Sequence, residues 1–408
     1  VPTSTNSAGS AIKAPQTPSL SSGLLVALAL LSAVGPFGID MYIPSFVVMA
    51  REFDTSESMV QLTLTTFLSG MALGQLFIGA ISDSLGRKRP LLVGTIAFLI
   101  SSALCAVAPS IGWLVALRLI QGLSGGAVIV LARAVVPDLA HGAKSASAFS
   151  ILMAISGIAP AVAPLIGGQL APLFGWRSVF WVLALLGGVM LLLSIVVIPE
   201  SLPASDRSDR ALRGIFPNIG RLLRRPAYIG YLLAFAGGFS VMFSYISASP
   251  FIFQQQLGLS SQQYSFVFAS NAAMLTVMSL VNGRLVKSFA PKSIILFALT
   301  TMLATSLGLC VNALLGPTLW VTWLLLFITV PMMALIFGNA TALGIEAVRD
   351  IGVGAGSGFM GFSQFLAAAI AAPLVGIGSS PALSMAVSMV VCAVIALTAV
   401  LTLTRPAD

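Results

Sequence analysis

The stretch Gly79-Ala80-Ile81-Ser82-Asp83-Ser84-Leu85-Gly86-Arg87-Lys88-Arg89 is a short charged loop wedged between two long apolar runs. Its reading decides the fold. A helix is expected to end near Ile81, the chain to reverse at Gly86, and Pro90 to open the next apolar run. Three consecutive cations, Arg87 to Arg89, follow the reversal.

Outward from that loop the chain is almost entirely apolar. Of its 408 residues 58% are hydrophobic and 8% charged, with a mean hydropathy of +1.03, too little polar surface to cover a water-soluble domain of this size. A bilayer is the solvent that fits. Twelve acids against 20 bases give a formal charge of +8, which in a membrane protein is read by position, so no nucleic-acid partner is expected. Cys105, Cys310 and Cys392 lie singly in separate apolar runs, which excludes metal-ligand spacing and a disulfide framework.

Runs long enough to cross about 30 Å of hydrocarbon number twelve. They lie near 20–44, 57–80, 90–109, 112–136, 146–170, 175–198, 227–254, 262–286, 291–312, 317–345, 351–378 and 382–404, with a break expected at Pro331. The first passes directly into polar sequence and is too long for a signal-peptide core, so it reads as a retained helix. Residues 1–19, rich in Ser, Thr and Pro, read as a disordered tail. With the N-terminus in the cytoplasm, 17 of the 20 Lys and Arg, Arg133 among them, fall on cytoplasmic segments, which favours an even number of spans and both termini inside.

The one long polar connection, 200–225, carries six arginines and divides six spans (20–199) from six (226–404), with 405–408 as a short cytoplasmic tail. Ala163-Pro164-Leu165-Ile166-Gly167 recurs 209 residues later as Ala372-Pro373-Leu374-Val375-Gly376. The chain is therefore expected to be an all-α integral membrane protein built from two six-helix pseudo-repeats, with its site at their interface.

Two enzyme-like matches fail on context. Gly122-Leu123-Ser124-Gly125-Gly126 fits G-x-S-x-G but lies inside an apolar span, with the only histidine, His141, in a loop. Gly356 to Gly361 fits G-x-G-x-x-G but follows no strand. No catalytic residues, metal ligands or cofactor are expected, and the absence of a phosphate-binding G-x-x-x-x-G-K-[ST] loop leaves an ion gradient as the energy source.

A charge inside a span is costly and needs a reason. Asp40 lies near the outer end of the first span and Arg118 about six residues inside the outer end of the fourth, so the two are candidates to pair across helices. The alternative is that Asp40 marks the boundary and Arg118 snorkels. Arg118, Gln121, Gly122 and Gly125 share one helix face. Phe239, Phe243 and Tyr245 in the seventh span suit a flat apolar ligand or a neighbouring helix, and mid-span Asn271 and Gln364 require a partner from a helix or a substrate.

These motifs together resemble the major facilitator superfamily, whose signature loop between the second and third helices is matched by Gly79, Asp83, Gly86, Arg87 and Lys88. Arg118 and Gly122 match the fourth-helix motif of its proton-coupled members. Pro164, Gly167 and Gly168 match its antiporter motif, with Ala163 where that motif usually has Gly. Ile39-Asp40-Met41-Tyr42-Ile43-Pro44 and Gly175-Trp176-Arg177 complete a resemblance to the Bcr/CflA group of drug efflux transporters.

The resemblance implies a monomeric, proton-driven exporter of drug-like molecules in the bacterial inner membrane, with Asp40 and Arg118 coupling the proton. Tyr42, Phe239, Phe243, Tyr245, Asn271 and Gln364 are the pocket candidates. The signature loop is expected to act as a gate: Asp83 would accept hydrogen bonds from the start of the eleventh helix near Gly352 to Gly356, and Arg87 would pair with Asp138. Uptake or export of a sugar or metabolite is the alternative, with a receptor or intramembrane enzyme behind it.

Overall fold

The computed structural model describes residues 21–140, 142–207, 211–376 and 380–404. The two tails, His141 and part of the 200–225 connection lie outside the described residues. Twelve helices are long and apolar enough to cross a membrane, and no strand occurs among the described residues. We number them α1 (Ser22–Glu52), α2 (Glu57–Leu85), α3 (Lys88–Ala106), α4 (Ile111–Leu139), α5 (Gly142–Phe174), α6 (Arg177–Val196), α7 (Pro226–Gln256), α8 (Ser261–Leu285), α9 (Pro291–Leu315), α10 (Leu319–Glu346), α11 (Val353–Leu374) and α12 (Pro381–Leu403).

Local chemistry sets the ends. Ser56, Ser110, Ser260 and Ser380 accept from the free N–H groups that open α2, α4, α8 and α12. Gly86 turns the chain between α2 and α3 at φ +88°, a conformation that a side chain disfavours. Pro331 breaks α10 after Thr329, as its missing N–H requires. Large apolar side chains such as Leu185, Val196 and Leu315 point outward, as a hydrocarbon solvent allows.

Helices α1–α6 pack mainly on one another, as do α7–α12, and the two groups meet where α2 lies along α11 and α5 along α8. Alternating helix direction puts the α2–α3 turn, the end of α4 and the ends of α6, α8, α10 and α12 at one end of the bundle, called the basic end below. A helix over Ala211–Leu222 lies across this end and touches both groups.

Two boundaries differ from the sequence reading, with consequences for the site. The first span does not stop at residue 44: a 3-10 turn at Ile43–Ser45 carries it on to Glu52. Asp40 is thus twelve residues from that end, roughly 18 Å at about 1.5 Å per residue, and lies at mid-span rather than near the boundary. The fourth span continues to Leu139. Arg133, counted among the cytoplasmic cations, lies within it, six residues short of its end.

Candidate functional site

A cavity of about 440 Å³ lies between the two groups of helices. From α1 it is lined by Pro36 and Asp40, from α7 by Phe239, Phe243 and Tyr245, from α8 by Asn271, and from α11 by Gln364 and Phe365. The aromatic wall is continuous: the rings of Phe239 and Phe243 are 4.9 Å apart and those of Phe239 and Phe365 5.4 Å. Asn271 donates to the Tyr245 hydroxyl at 2.9 Å, which fixes both polar groups on this wall. Asp40 is almost wholly buried, and its Oδ1 has no hydrogen-bond partner.

Asp40 does not meet Arg118. Gly38 and Tyr42, four residues apart, share one face of α1, and that face receives Arg118: Nη2 donates to the Gly38 carbonyl at 2.9 Å and the guanidinium lies 4.2 Å from the Tyr42 ring. Asp40 is two residues from each of them, about 200° round the helix, and so faces the cavity instead. Arg118 is fully buried between Tyr42 and Phe67, 4.0 Å from the latter's centroid, and donates to Gln121, which donates in turn to Ser102. Ring faces supply the negative potential that a carboxylate was expected to give. Arg118 therefore ties α1, α2, α3 and α4 together, and Tyr42, expected in the pocket, belongs to this internal cluster, its hydroxyl 3.2 Å from Thr63.

The glycines of the fourth and fifth helices act through close approach. A Cβ on Gly122 would fall on the Phe67 carbonyl, whereas one on Gly125 would have room beside Phe98. Gly167 packs against the backbone of Met41, and Gly168 against Ser265. Pro164 is buried on the same helix.

Hydrogen bonds between the two groups of helices form a seal at the end opposite the basic one. The Ser58 hydroxyl donates to Gly376 O at 2.7 Å, Gln254 and Ser261 both donate to Pro44 O, and Gln262 donates to Gln169. In the other direction the cavity reaches Arg133 on α4 and Asn282 on α8, three residues from the basic end of that helix. The space is thus closed at one end and extends toward the other.

At the basic end the expected pair forms: Arg87 Nε donates to Asp138 at 3.0 Å. Asp83 takes a different partner. Its carboxylate accepts from Arg87 Nη1 at 2.5 Å, and no hydrogen bond joins it to the start of α11 among the described residues. The turn at Gly86 brings Arg87 back over Asp83, four residues earlier, and a guanidinium already held there is a stronger partner than distant N–H groups. Glu200 completes the cluster by accepting from the Arg87 N–H at 2.8 Å and pairing with Arg207 at 3.6 Å. Lys88 donates to Ile195 O, and Gly79 packs near Val130. Burial lowers the Arg87 pKa, but hydrogen bonds and charge from Asp138 and Asp83 outweigh it and raise the pKa overall, so Arg87 stays charged.

The network therefore braces the first six helices, and the carboxylate expected to bridge to α11 is not free to do so. Asp138, largely buried against Arg87, should matter more than Asp83, which is 45% exposed. Arg87→Ala and Asp138→Asn are each expected to lower transport several-fold and Asp83→Asn less, all with unchanged membrane insertion, in vesicle uptake assays normalised to protein. Equal losses would refute this ranking.

Two polar cavity residues that the sequence reading missed are Arg133 and Gln75. Arg133 was counted with the cytoplasmic cations although it falls within the fourth apolar run, and Gln75 gave no signal until the π-helical turn at Gly74–Ile78 placed it on the wall. The sequence profile of the Major Facilitator Superfamily matches residues 28–372. The chain belongs to that superfamily. Among its relatives is the MFS-type transporter YdgK of Bacillus subtilis, 36% identical over 93% of this chain and 94% of its own. The bicyclomycin resistance protein homolog of Haemophilus influenzae is 31% identical over 86% and 88%. The multidrug resistance protein MdtL of Escherichia coli is 28% identical over 68% and 70%.

Solved superfamily structures share the fold at low identity. A bacterial homolog of the human lysosomal transporter Spinster, inward-facing and occupied, has a TM-score of 0.73 at 16% identity over 93% of this chain and 95% of its own. A peptide transporter, POT, bound to alafosfalin has a TM-score of 0.71 at 13% identity over 92% and 93%. The resemblance to Bcr/CflA exporters agrees with relatives named for bicyclomycin and multidrug resistance. The chain is a multi-pass membrane transporter rather than an enzyme.

Proposed function

We propose that this superfamily member expels small, largely apolar drugs or antibiotics from a bacterial cell across the inner membrane in exchange for protons, as a monomer and by alternating access. The observation that carries the reading is the pairing of an aromatic-walled cavity with Asp40, a carboxyl inside it that no cation among the described residues engages. A cavity of about 440 Å³ suits drug-sized molecules, for which sites of about 300–1,000 Å³ are usual. The titratable or charged groups facing it are Asp40, Arg133 and Tyr245.

A group that exchanges protons with both sides must change its surroundings between two states, and Asp40 sits where the two helix groups move against each other. One inward proton supplies about 2.3 kcal/mol per 100 mV, which corresponds to roughly a fifty-fold gradient of a neutral solute. No bound cofactor is needed. With the basic end in the cytoplasm, the present conformation is sealed outside and extends inward.

Cells carrying the protein are expected to tolerate higher concentrations of several unrelated antibiotics than cells without it, and a protonophore should remove the difference. A panel without any such difference would refute the efflux reading. Orientation has its own test. Cysteines at Ser205 and Ser260 lie at opposite ends, and an impermeant thiol reagent should label only the second in intact cells with a permeable outer envelope. Labelling of the first alone would invert the topology.

A further inference from the structure

Arg133 has no role in the account so far. Its Nε is buried without a hydrogen-bond partner, and no carboxylate lies within ion-pairing distance of it among the described residues. Yet it lines the same cavity as Asp40, which has no cation of its own. Two opposite charges inside a membrane protein are costly unless each finds a counter-charge, and the direct remedy is to pair them. Here they are held on different helices, too far apart to touch. The same cavity carries the apolar wall of Phe239 and Phe243.

We infer that the compounds carried are zwitterions with a flat apolar body: an anionic group, such as a carboxylate, sits at Arg133 and a cationic nitrogen at Asp40. This deepens the efflux reading above and rests on it. Arg suits the task because its planar fork meets a carboxylate with two parallel hydrogen bonds, which a point cation does not offer. A molecule bearing both charges completes both protein groups at once, whereas a singly charged one leaves the other uncompensated. The two ends also differ in their link to protons. A proton on Asp40 displaces the cationic nitrogen, while Arg133 sets the class of molecule admitted.

The probes are a fluoroquinolone with a free carboxylate and a secondary amine, its methyl ester, which keeps only the cation, and its N-acetyl derivative, which keeps only the anion. Binding to the purified full-length protein in detergent, by calorimetry above neutral pH, requires neither a proton gradient nor transport. Wild type is expected to bind the zwitterion at least about ten-fold more tightly than either derivative. Arg133→Gln should bring the zwitterion down to the level of its ester, and Arg133→Lys should retain part of the preference. The inference is overturned if wild type binds zwitterion and ester alike, a comparison that needs no variant, or if Arg133→Gln preserves the ratio. In either case the susceptibility panel separately decides whether efflux itself stands.

Discussion

Asp40→Asn is expected to abolish drug efflux against a gradient while leaving the protein inserted and folded. The amide has nearly the size of the carboxyl but does not titrate. Because Asp40 Oδ1 has no hydrogen-bond partner in the protein, the substitution breaks no internal pair. The lost driving force is the whole contribution of the proton, about 2.3 kcal/mol per 100 mV, so the roughly fifty-fold accumulation should fall to simple equilibration. Downhill drug movement in proteoliposomes should survive, since alternating access itself needs no titration. Alkalinisation of the lumen on drug addition, as protons leave in exchange for entering drug, should vanish. A variant that still concentrates drug would move coupling to another group and would leave Asp40 as a wall residue.

The second large effect is expected at Gly167. A Cβ built there falls on the backbone carbonyl of Met41, and backbone cannot step aside as a flexible side chain can. Gly167→Ala must separate α1 from α5 at the sealed end, where overpacking costs about 1–3 kcal/mol. The variant should insert normally, lose most transport, and let an impermeant reagent reach a cysteine placed at Asp40's end of the cavity from the outside. Gly125→Ala, with room beside Phe98, is the control and should retain activity. Transport by Gly167→Ala at wild-type level would show that the seal tolerates a wider gap than its geometry allows.

These expectations depend on different amounts of information. The count of spans, the break at Pro331 and the turn at Gly86 were legible in the chain, because hydrophobic length, a missing N–H and a glycine at a reversal are local properties, whereas the Arg87–Asp138 pair was expected from the resemblance. So were several of the cavity-lining residues, since Phe239 and Phe243 are one helical turn apart and one face of a helix meets one environment. Arg118 was recognisable as exceptional, but its partners were not. Phe67 and Tyr42 compensate its charge with ring faces, and nothing in an aromatic residue's position announces that use.

What the sequence determined by itself, then, was a twelve-span membrane bundle with a basic loop and a charge at Asp40 that required an explanation. Only the tertiary structure decided which way that charge faces. Continuation of α1 through a 3-10 turn moved Asp40 to mid-span, and a rotation of about 200° from Gly38 and Tyr42 turned it from Arg118 toward the cavity. The same holds for Arg133, which faces the cavity rather than joining the cations of the basic end, and for Asp83, taken by Arg87 before α11 can reach it. Helix length and propensity are set by neighbours in the chain. Rotation, depth and the choice among competing partners are set by packing between helices far apart in sequence, and a linear pattern does not carry them.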